Sequence, residues 1–495
     1  MKYDSDPNSM SVALRLLALG ACALASCSGG SSTANRSPGD TTSGNPPTAS
    51  TGSRDWTRFG WNVSRSNAST DSTGIDSLNV GTVRRQQVAI DGIVDASAIY
   101  LHGVQVQGAA HDVFFVTTSY GKTLAIDAAD GTVLWRFTPP DYSSFAGSYR
   151  ITNSTPVADP DRQSIYAASP DGFVRKLAVA DGQVVWSTAI TNLPTREKIA
   201  SPLNFDRGHV IATTGGYIGD APPYQGHVAV LDAAAGTLLH VWNALCSDRA
   251  GLIAPSSCSE SGSAIWGSSG AVIDSTTGDI FVTTGNGLWD GRTFWGDAVI
   301  ELDANATRVV ANYTPTNTRT LQMNDTDLGS TSPVLLGGGL VAQGGKDATI
   351  RLLDRSQMLG ATGHQGNETQ TVPTPSGGGL FTAPAVYRSG TTTWVFAADR
   401  GGTAAWTLNA GRLQPAWQNG NAGTSPVVAG GLVYVYEPSG GVRVYRAQTG
   451  VQITRLATGS GHWNSPIIVD GKIAIPEGNA NSHGTNGVLN IFRLP

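Results

Sequence analysis

Short apolar runs alternate with turns rich in glycine and aspartate along most of this chain. Typical runs cover residues 113–118, 165–168 and 433–436, and related runs at Thr123–Asp127 and His227–Asp232 each end in an aspartate. Runs of this length that are rich in Val, Ile, Phe and Tyr and bounded by turn residues are typical of β-strands. The pattern therefore predicts an all-β protein with many short strands.

One short motif recurs along the chain: a small residue, then Pro, Ala or Gly, then an apolar pair. We expect each instance to begin a strand, because a sheet tolerates proline at the first residue of a strand. Three further strands follow each instance, and the last of them often carries Trp. An array of β-sandwiches would not explain one pattern recurring so often, so the repeats predict an eight-bladed β-propeller with four-stranded antiparallel blades. The eight instances are Ser97-Ala98, Thr155-Pro156, Ser201-Pro202, Ser269-Gly270, Ser332-Pro333, Ala383-Pro384, Ser425-Pro426 and Ser465-Pro466.

The last repeat predicts how the ring of blades closes. Residues 465–469, 472–476 and Gly487–Arg493 supply only three strands before the sequence stops at Pro495. Residues 83–90 precede the first repeat and have no partner there. We expect this early segment to pair with the eighth blade as its fourth strand, which removes an open sheet edge.

Composition fits this architecture and excludes one class of partner. The 495 residues include 61 Gly and 25 Pro, and only 14% are charged, which suits short strands joined by tight turns better than long solvated helices. The formal net charge is −5, whereas nucleic-acid-binding surfaces are normally basic. We therefore expect no nucleic-acid partner.

The N-terminal region predicts export and membrane attachment. Residues 11–26 form an apolar run that is too short to span a bilayer comfortably, and Leu24-Ala25-Ser26-Cys27 resembles a bacterial lipobox. We interpret residues 1–27 as a signal peptide with Cys27 as the lipidation site, residues 28–53 as a flexible tether and residues 54–495 as the propeller. An ordinary secretory signal is the alternative. The prediction is a lipoprotein on the periplasmic side of the bacterial envelope, with Ser28 compatible with outer-membrane sorting.

Two cysteines, Cys246 and Cys258, remain in the exported part of the chain. Export makes a disulfide between them plausible, worth about 3 kcal/mol if the geometry permits it. A zinc site is the weaker interpretation, because no His or second Cys stands at zinc-ligand spacing. The sequence contains no C-x-x-C-H motif, so we expect no covalent haem.

The repeats resemble those of pyrroloquinoline-quinone (PQQ) propellers, with small-Pro-Val, a strand, A-x-D-A-x-x-G and then Trp. The resemblance covers residues 54–495, and residues 55–62 and 79–81 are similar to the opening of quinoprotein dehydrogenases. It implies the propeller fold. It does not imply an activity, because the same propeller serves non-catalytic lipoproteins, including the scaffold of the outer-membrane barrel-assembly machine.

The resemblance also implies candidate site residues. Trp266 matches the residue that stacks beneath the quinone, Asn286 a Ca²⁺ ligand, and Lys346 the basic residue that bonds the quinone oxygens. Asp327 matches the catalytic base, with Asp325 as the fallback. Each match has a structural alternative: a tryptophan packed between blades, a turn asparagine, a turn lysine, or an aspartate that caps the turn before Ser332.

Two departures from the family weigh against catalysis. The chain has no adjacent cysteine pair, and Tyr217 stands where the family has its Ca²⁺-binding Glu, with Asp220 three residues away as a poor substitute. We interpret this as a partly eroded PQQ and Ca²⁺ site. The leading hypothesis is an envelope lipoprotein that binds a small molecule or protein without redox turnover, with the insertion at residues 245–265 as a contact surface. The alternatives are a Ca²⁺/PQQ-dependent alcohol or sugar dehydrogenase and an outer-membrane assembly scaffold.

Overall fold

The computed structural model describes residues 54–495, so the predicted signal peptide, Cys27 and the tether lie outside the described residues. The described part folds into eight antiparallel sheets that follow one another along the chain, each built mostly from four strands. This confirms the predicted eight-bladed all-β propeller. No helix among residues 54–495 is long and apolar enough to cross a membrane.

The first four blades use the strands numbered β2 to β18, and the third blade has one additional short strand at its inner edge. Their bounds are Ile99–Val106 (β2), Ala109–Thr117 (β3), Thr123–Asp127 (β4) and Val133–Phe137 (β5) in blade 1; Val157–Ala158 (β6), Ser164–Ala168 (β7), Phe173–Ala178 (β8) and Val184–Ala189 (β9) in blade 2; Glu197–Ile199 (β10), Asn204–Asp206 (β11), His209–Gly216 (β12), His227–Asp232 (β13) and Leu238–Asn243 (β14) in blade 3; and Val272–Ile273 (β15), Ile280–Thr283 (β16), Val299–Leu302 (β17) and Val309–Tyr313 (β18) in blade 4.

The last four blades use strands β19 to β33 together with the early strand β1. Their bounds are Val334–Gly337 (β19), Leu340–Gln343 (β20), Thr349–Asp354 (β21) and Gln370–Pro373 (β22) in blade 5; Ala385–Ser389 (β23), Thr392–Ala398 (β24), Thr403–Asn409 (β25) and Arg412–Asn419 (β26) in blade 6; Val427–Ala429 (β27), Leu432–Tyr436 (β28), Val442–Arg446 (β29) and Gln452–Leu456 (β30) in blade 7; and Ile467–Val469 (β31), Lys472–Glu477 (β32), Gly487–Arg493 (β33) and Arg84–Ile90 (β1) in blade 8. One short α-helix, Thr318–Met323 (α1), lies between blades 4 and 5.

Strand β1 closes the ring as predicted. It pairs antiparallel with β33 in an unbroken register that runs from Arg84 opposite Arg493 to Ile90 opposite Gly487. The outer strand of the eighth blade therefore comes from a segment that precedes the first blade. This pairing joins the two ends of the ring through backbone hydrogen bonds.

The recurring small-residue motif lies just before the first strand of each blade, which corrects the expectation that it begins the strand. Pro156 directly precedes β6, and Pro466 directly precedes β31. The hydroxyl group at this position bonds to a neighbouring blade. Ser465 Oγ donates to the carbonyl of Ser425 at 3.1 Å, and Ser97 Oγ donates to the carbonyl of Ser465 at 3.1 Å. A small polar residue therefore recurs because it ties adjacent blades together.

The recurring Gly and Trp form a second contact between blades. Trp135 Nε1 donates to the carbonyl of Val179 in the next blade at 2.9 Å, and a Cβ on Gly182 would lie only 2.5 Å from the Trp135 ring. Trp186 and Gly236 repeat this arrangement one blade further on, where a Cβ on the glycine would lie 2.6 Å from the indole. Glycine is required there because the indole of the preceding blade packs directly on its backbone.

Residues 54–75 lie at one end of the propeller, and we call this segment the strap. Its backbone bonds successively to the blades: Ala158 N donates to the carbonyl of Thr57 at 2.9 Å, Ile273 N to that of Val63 at 3.0 Å and Val386 N to that of Ser66 at 2.8 Å. These contacts follow the order of the blades around the ring, so the segment runs around the axis along the first strands of the blades. The strap therefore lines this end of the propeller.

Cys246 and Cys258 form a disulfide within the insertion that follows β14. The insertion is tied to blade 4, because Trp295 Nε1 donates to Ser247 Oγ at 3.0 Å. Its last residues lead directly to Trp266, so the insertion contributes to the wall of the central cavity described next.

Candidate functional site

A central cavity of about 300 Å³ lies on the propeller axis above the strap. Phe59 of the strap contributes to its lining, and most other lining residues come from the segments just before the first strands of the blades. These lead-in segments supply Asp95, Asn153, Trp266, Asp327, Phe381, His462 and Trp463, and Lys198 comes from the additional short strand β10. The propeller therefore brings residues from distant parts of the sequence into one site.

Four residues predicted from the family resemblance line this cavity: Trp266, Asn286, Asp327 and Lys346. Asp327 Oδ2 accepts a hydrogen bond from Trp266 Nε1 at 3.1 Å and lies 3.2 Å from the Lys346 ammonium. Asn286 follows β16 and Lys346 follows β20, so corresponding turns of two adjacent blades position them. We call this group the Asp327 wall.

Asp325, the fallback base, lies on the exposed side of the same wall. Its Oδ1 accepts from Asn286 Nδ2 at 2.8 Å and lies 3.2 Å from Lys346 Nζ. The Lys346 ammonium thus bridges two carboxylates and lies 5.4 Å from the centre of the Trp266 ring, within cation–π range.

The electrostatics of the Asp327 wall follow from burial and from this ion pair. Burial raises the pKa of Asp327, and the neighbouring Asp325 acts in the same direction, while Lys346 opposes both. Burial disfavours the charge on Lys346, but the carboxylates of Asp327 and Asp325 outweigh it and raise the pKa of Lys346. Lys346 is therefore held as an ammonium ion beside the candidate base.

Two residues that the sequence analysis did not identify, Gly285 and Asp297, lie next to Asp327 and the segment that follows it. A Cβ on Gly285 would lie 3.1 Å from Asp327 Oδ2 and 3.2 Å from Trp266 Nε1, so the hydrogen bond between those side chains needs a glycine nearby. Asp297 is fully buried, and its Oδ1 accepts from the backbone N–H of Leu328 at 2.9 Å. Burial raises the pKa of Asp297 to about 8.

Tyr217 does not supply a ligand atom in place of the missing carboxylate. Its hydroxyl donates to the backbone carbonyl of Pro194 at 2.9 Å, and its ring packs edge-on against Tyr149. Asp220 does reach the cavity lining, at the exposed rim beside Tyr224. The loop turns back over Gly216, which brings the Asp220 carboxylate to the cavity, and the expectation that Asp220 is a poor substitute for the missing Glu stays a prediction.

The opposite side of the cavity carries a second polar group that the sequence did not identify, and we call it the Lys198 wall. It consists of Asp95, Asn153, Lys198 and His462. Asp95 is fully buried and accepts from Asn153 Nδ2 at 3.0 Å and from the backbone N–H of Trp463 at 2.7 Å, and it pairs with His462 Nδ1 at 2.8 Å. Lys198 Nζ donates to Asn153 Oδ1.

The lead-in segments offered a sequence signal for these missed residues. Asp95 stands two residues before Ser97, Lys198 three before Ser201 and His462 three before Ser465. Trp266 stands three residues before Ser269, and Asp327 stands five before Ser332. The residues that precede each repeat motif could therefore have been identified together as candidate lining residues.

The Asp327 wall fits a planar quinone better than it fits a Ca²⁺ ion. The half-buried Trp266 ring offers an aromatic surface beside the Lys346 ammonium, and Asn286 Oδ1 and Asp327 Oδ1 are buried without a hydrogen-bond partner among the described residues. Ca²⁺ takes six to eight oxygen ligands. Asp325 is already engaged by Asn286 and Lys346, and Tyr217 provides no carboxylate, so Asn286, Asp327 and Asp220 are the side chains left on this side of the cavity to contact such an ion.

Among residues 54–495, only one group of three acidic or histidine side chains has its ligand atoms close enough to share a metal ion. It comprises His102, Asp112 and Asp470 and does not contribute to the cavity lining. Asp470 is already paired with Arg54 and Lys472. This group is therefore an ion-pair network at the edge of the sheets.

Solved structures with this architecture include quinoprotein dehydrogenases. A quinohemoprotein alcohol dehydrogenase from Comamonas testosteroni is 15% identical with a TM-score of 0.67, over 89% of this chain and 82% of that one. A europium-containing methanol dehydrogenase is 14% identical with a TM-score of 0.64, over 89% and 98% of the two chains. BamB from Moraxella catarrhalis is 13% identical with a TM-score of 0.52, over 83% and 98%.

The fold is thus that of the PQQ-type propellers. The family model described as outer membrane protein assembly factor BamB matches residues 48–357, which is more than half of the chain. The protein belongs to this family of PQQ-like propellers. No curated protein sequence matches the chain significantly.

Proposed function

We propose that this protein is a lipid-anchored propeller of the bacterial envelope that binds a planar quinone-type molecule in its central cavity without dehydrogenase turnover. The observation that carries the proposal is the Asp327 wall, where Trp266, Lys346 and Asp327 meet around one aromatic surface. The Tyr217 hydroxyl, bonded to Pro194, leaves the site one carboxylate short of a Ca²⁺ centre. Binding is therefore supported more strongly than catalysis.

The ligand would lie against the Trp266 ring, with its oxygens within reach of the Lys346 ammonium. A planar aromatic molecule gains dispersion and quadrupole contacts on an indole face. Asp327 lines the cavity and would accept a hydrogen bond from a protonated group of the ligand. When bound, PQQ would supply a redox-active quinone to the cavity.

The direct experiment adds PQQ to the purified protein, with and without Ca²⁺, and measures binding by calorimetry and dye reduction with alcohols and sugars. We expect saturable PQQ binding that Ca²⁺ does not strengthen, and no dye reduction. Absence of PQQ binding would reject the proposal. Binding together with dye reduction that is lost in Asp327→Asn would replace it with the dehydrogenase hypothesis.

The second candidate is a Ca²⁺/PQQ-dependent alcohol or sugar dehydrogenase. The specific observation in its favour is Asp327, a buried carboxylate that is hydrogen-bonded to Trp266 and has a raised pKa. A carboxylate in this setting is suited to accept a proton from a substrate hydroxyl. This candidate requires the Ca²⁺ ligand set to be completed by groups other than Tyr217.

An assembly scaffold is the third candidate, and the BamB description of the matching family model favours it. The disulfide-bonded insertion after β14 would then supply the contact surface. For all three candidates we propose anchoring through Cys27. A Cys27→Ser variant should leave the membrane fraction, and its retention there would reject the anchor.

A further inference from the structure

The Lys198 wall contains a lysine whose charge the protein does not neutralise by direct contact. Lys198 Nζ donates to the amide oxygen of Asn153, and Lys198 forms no salt bridge within residues 54–495. Burial lowers the pKa of Lys198 to about 8, against the opposing effect of Asp95. Lys198 is half-buried, and an ammonium ion that is partly removed from water and bonded to a neutral amide is stabilised by an incoming anion.

Asp95 does not neutralise this ammonium directly, because its own hydrogen bonds go elsewhere. Its carboxylate accepts from Asn153 Nδ2 at 3.0 Å, the backbone N–H of Trp463 at 2.7 Å and the backbone N–H of Ala480 at 3.0 Å. It also pairs with His462 Nδ1 at 2.8 Å. Lys198 therefore belongs to a hydrogen-bonded chain that runs through Asn153 and Asp95 to His462.

His462 completes the polar surface on this side. Because its Nδ1 faces Asp95, its other ring nitrogen, Nε2, is the atom that can contact a ligand, and the side chain lines the cavity. Lys198 thus presents an ammonium donor to this space, and His462 adds an N–H donor at Nε2 when its ring carries both protons. The pattern suits a carboxylate, which accepts a hydrogen bond on each oxygen.

An aromatic surface connects the two walls. The Phe381 ring lies 6.1 Å from the Trp266 ring and 6.0 Å from the Trp463 ring, measured between ring centres. Trp463 directly follows His462 in the sequence. A flat ligand that contacts Trp266 can therefore extend along Phe381 and Trp463 toward Lys198.

We propose that Lys198 and His462 form a carboxylate-binding subsite, so that the cavity selects planar aromatic acids and places an acid group at the Lys198 wall. On the opposite side, Lys346 is already paired with Asp325 and Asp327. The proposal rests on the proposed function in one respect: it assumes that the central cavity binds a planar small molecule.

The test uses pyridine-2,6-dicarboxylate and its neutral dimethyl ester as small probes, and PQQ as the larger one. Affinity is measured by calorimetry and by quenching of tryptophan fluorescence for the wild type, Lys198→Met and Lys198→Gln. Lys176→Met is the matched control, because Lys176 Nζ donates only to the carbonyl of Ala233 and does not line the cavity. Circular dichroism and thermal melting establish that each variant is folded.

We expect the wild type to bind the dicarboxylate and to bind its ester about tenfold or more weakly. Both Lys198 variants should bind the dicarboxylate about tenfold or more weakly than the wild type, and Lys176→Met should bind like the wild type. Unchanged affinity in both folded Lys198 variants, equal affinity for acid and ester, or no dicarboxylate binding by the wild type would each overturn the subsite.

The same measurements separate the subsite from the proposed function. If PQQ binds and neither Lys198 variant changes its affinity, the ligand cavity stands and the carboxylate subsite is wrong. If the dicarboxylate binds through Lys198 but PQQ does not bind, the subsite stands and the quinone-type ligand is wrong.

Discussion

The two walls of the central cavity hold their lysines in opposite ways. Lys346 lies between Asp325 and Asp327, whereas Lys198 is bonded to the neutral amide of Asn153. The lysine of the Asp327 wall contacts carboxylates directly, whereas the lysine of the Lys198 wall donates to a neutral amide and is influenced by the Asp95 carboxylate without contacting it. The comparison teaches that the cavity is polarised: the Asp327 wall has two carboxylates for one ammonium, whereas the Lys198 wall has one of each, separated by the amide of Asn153.

The largest expected effect concerns the stability of the two walls. Asp95→Ala should lower the free energy of unfolding by about 3–5 kcal/mol, because it leaves buried donors at Asn153, Trp463 and Ala480 without their acceptor. Asp325→Ala, where the side chain is 73% exposed, should change stability by less than about 0.5 kcal/mol. Urea denaturation of both variants measures the difference. Equal losses of unfolding free energy in the two variants would show that Asp95 contributes no more to stability than Asp325 does.

Ligand contact on the Asp327 wall gives the next largest effect. Trp266→Ala should weaken PQQ binding roughly 30-fold, which corresponds to about 2 kcal/mol for the lost aromatic surface. Trp394→Ala is the matched control, because Trp394 packs on Phe396 within blade 6 and does not line the cavity. Calorimetry with PQQ measures both. A similar loss in the two variants would mean that the ligand does not contact Trp266.

The pH dependence of stability tests the role of Asp297, whose carboxyl group accepts a hydrogen bond from the backbone N–H of Leu328, next to Asp327. The pKa of Asp297 is raised to about 8 in the folded protein, and Asp297 titrates near its ordinary value of about 4 in the unfolded chain. Between these values the unfolded chain has lost the proton that the folded protein keeps. Asp297 therefore makes stability fall as pH rises from about 4 to about 8, by up to about 1.4 kcal/mol per pH unit.

Asp297→Asn cannot ionise, so its stability should fall less steeply with rising pH than that of the wild type. Thermal melting of both proteins from pH 5 to pH 8 measures the two slopes. Parallel profiles would show that Asp297 is already charged in the folded protein and that its burial does not control its protonation.

The smallest expected effect separates the candidate base from its fallback. Asp325→Asn should change PQQ affinity by less than about twofold, because the exposed carboxylate is screened by solvent and Asp327 still holds Lys346. Asp327→Asn should have the larger effect, since it removes the charge nearest to Lys346 inside the cavity. Calorimetric titration of the two variants decides between them. A larger change in Asp325→Asn would reverse their assigned roles.

Much of the fold was predictable because the contacts that define a blade are local in sequence. The bounds of β4, β13 and β33 agree with the predicted runs, since each of these strands pairs with the strand that directly precedes it in the sequence. Even the long-range pairing of β1 with β33 was predictable, because an incomplete last blade needs one more strand. The predicted position of the repeat motif was wrong by one or two residues. The motif lies just outside the strands because its hydroxyl groups form hydrogen bonds between blades.

Only those residues of the candidate site that match a motif of the family could be predicted from the sequence. The family resemblance pointed to Trp266, Asn286, Asp327 and Lys346, which the structure places in one cavity, although the family roles assigned to them stay predictions. It did not point to Lys198 or His462, because neither residue belongs to a recognised motif. Their meeting depends on the closure of the ring, which places blade 8 next to blade 1, so that Lys198 connects through Asn153 and Asp95 to His462.

The sequence by itself determined the repeat, the number of blades and the way the ring closes, since hydrogen-bonded strands and Trp–Gly contacts leave a periodic pattern in the chain. The tertiary structure alone decided which lead-in residues share the cavity and how their charges are paired. Asp95 and His462 are 367 positions apart in the sequence, yet they lie 2.8 Å apart in the folded protein. The physical reason is that circular closure sets their distance, and no local pattern records it.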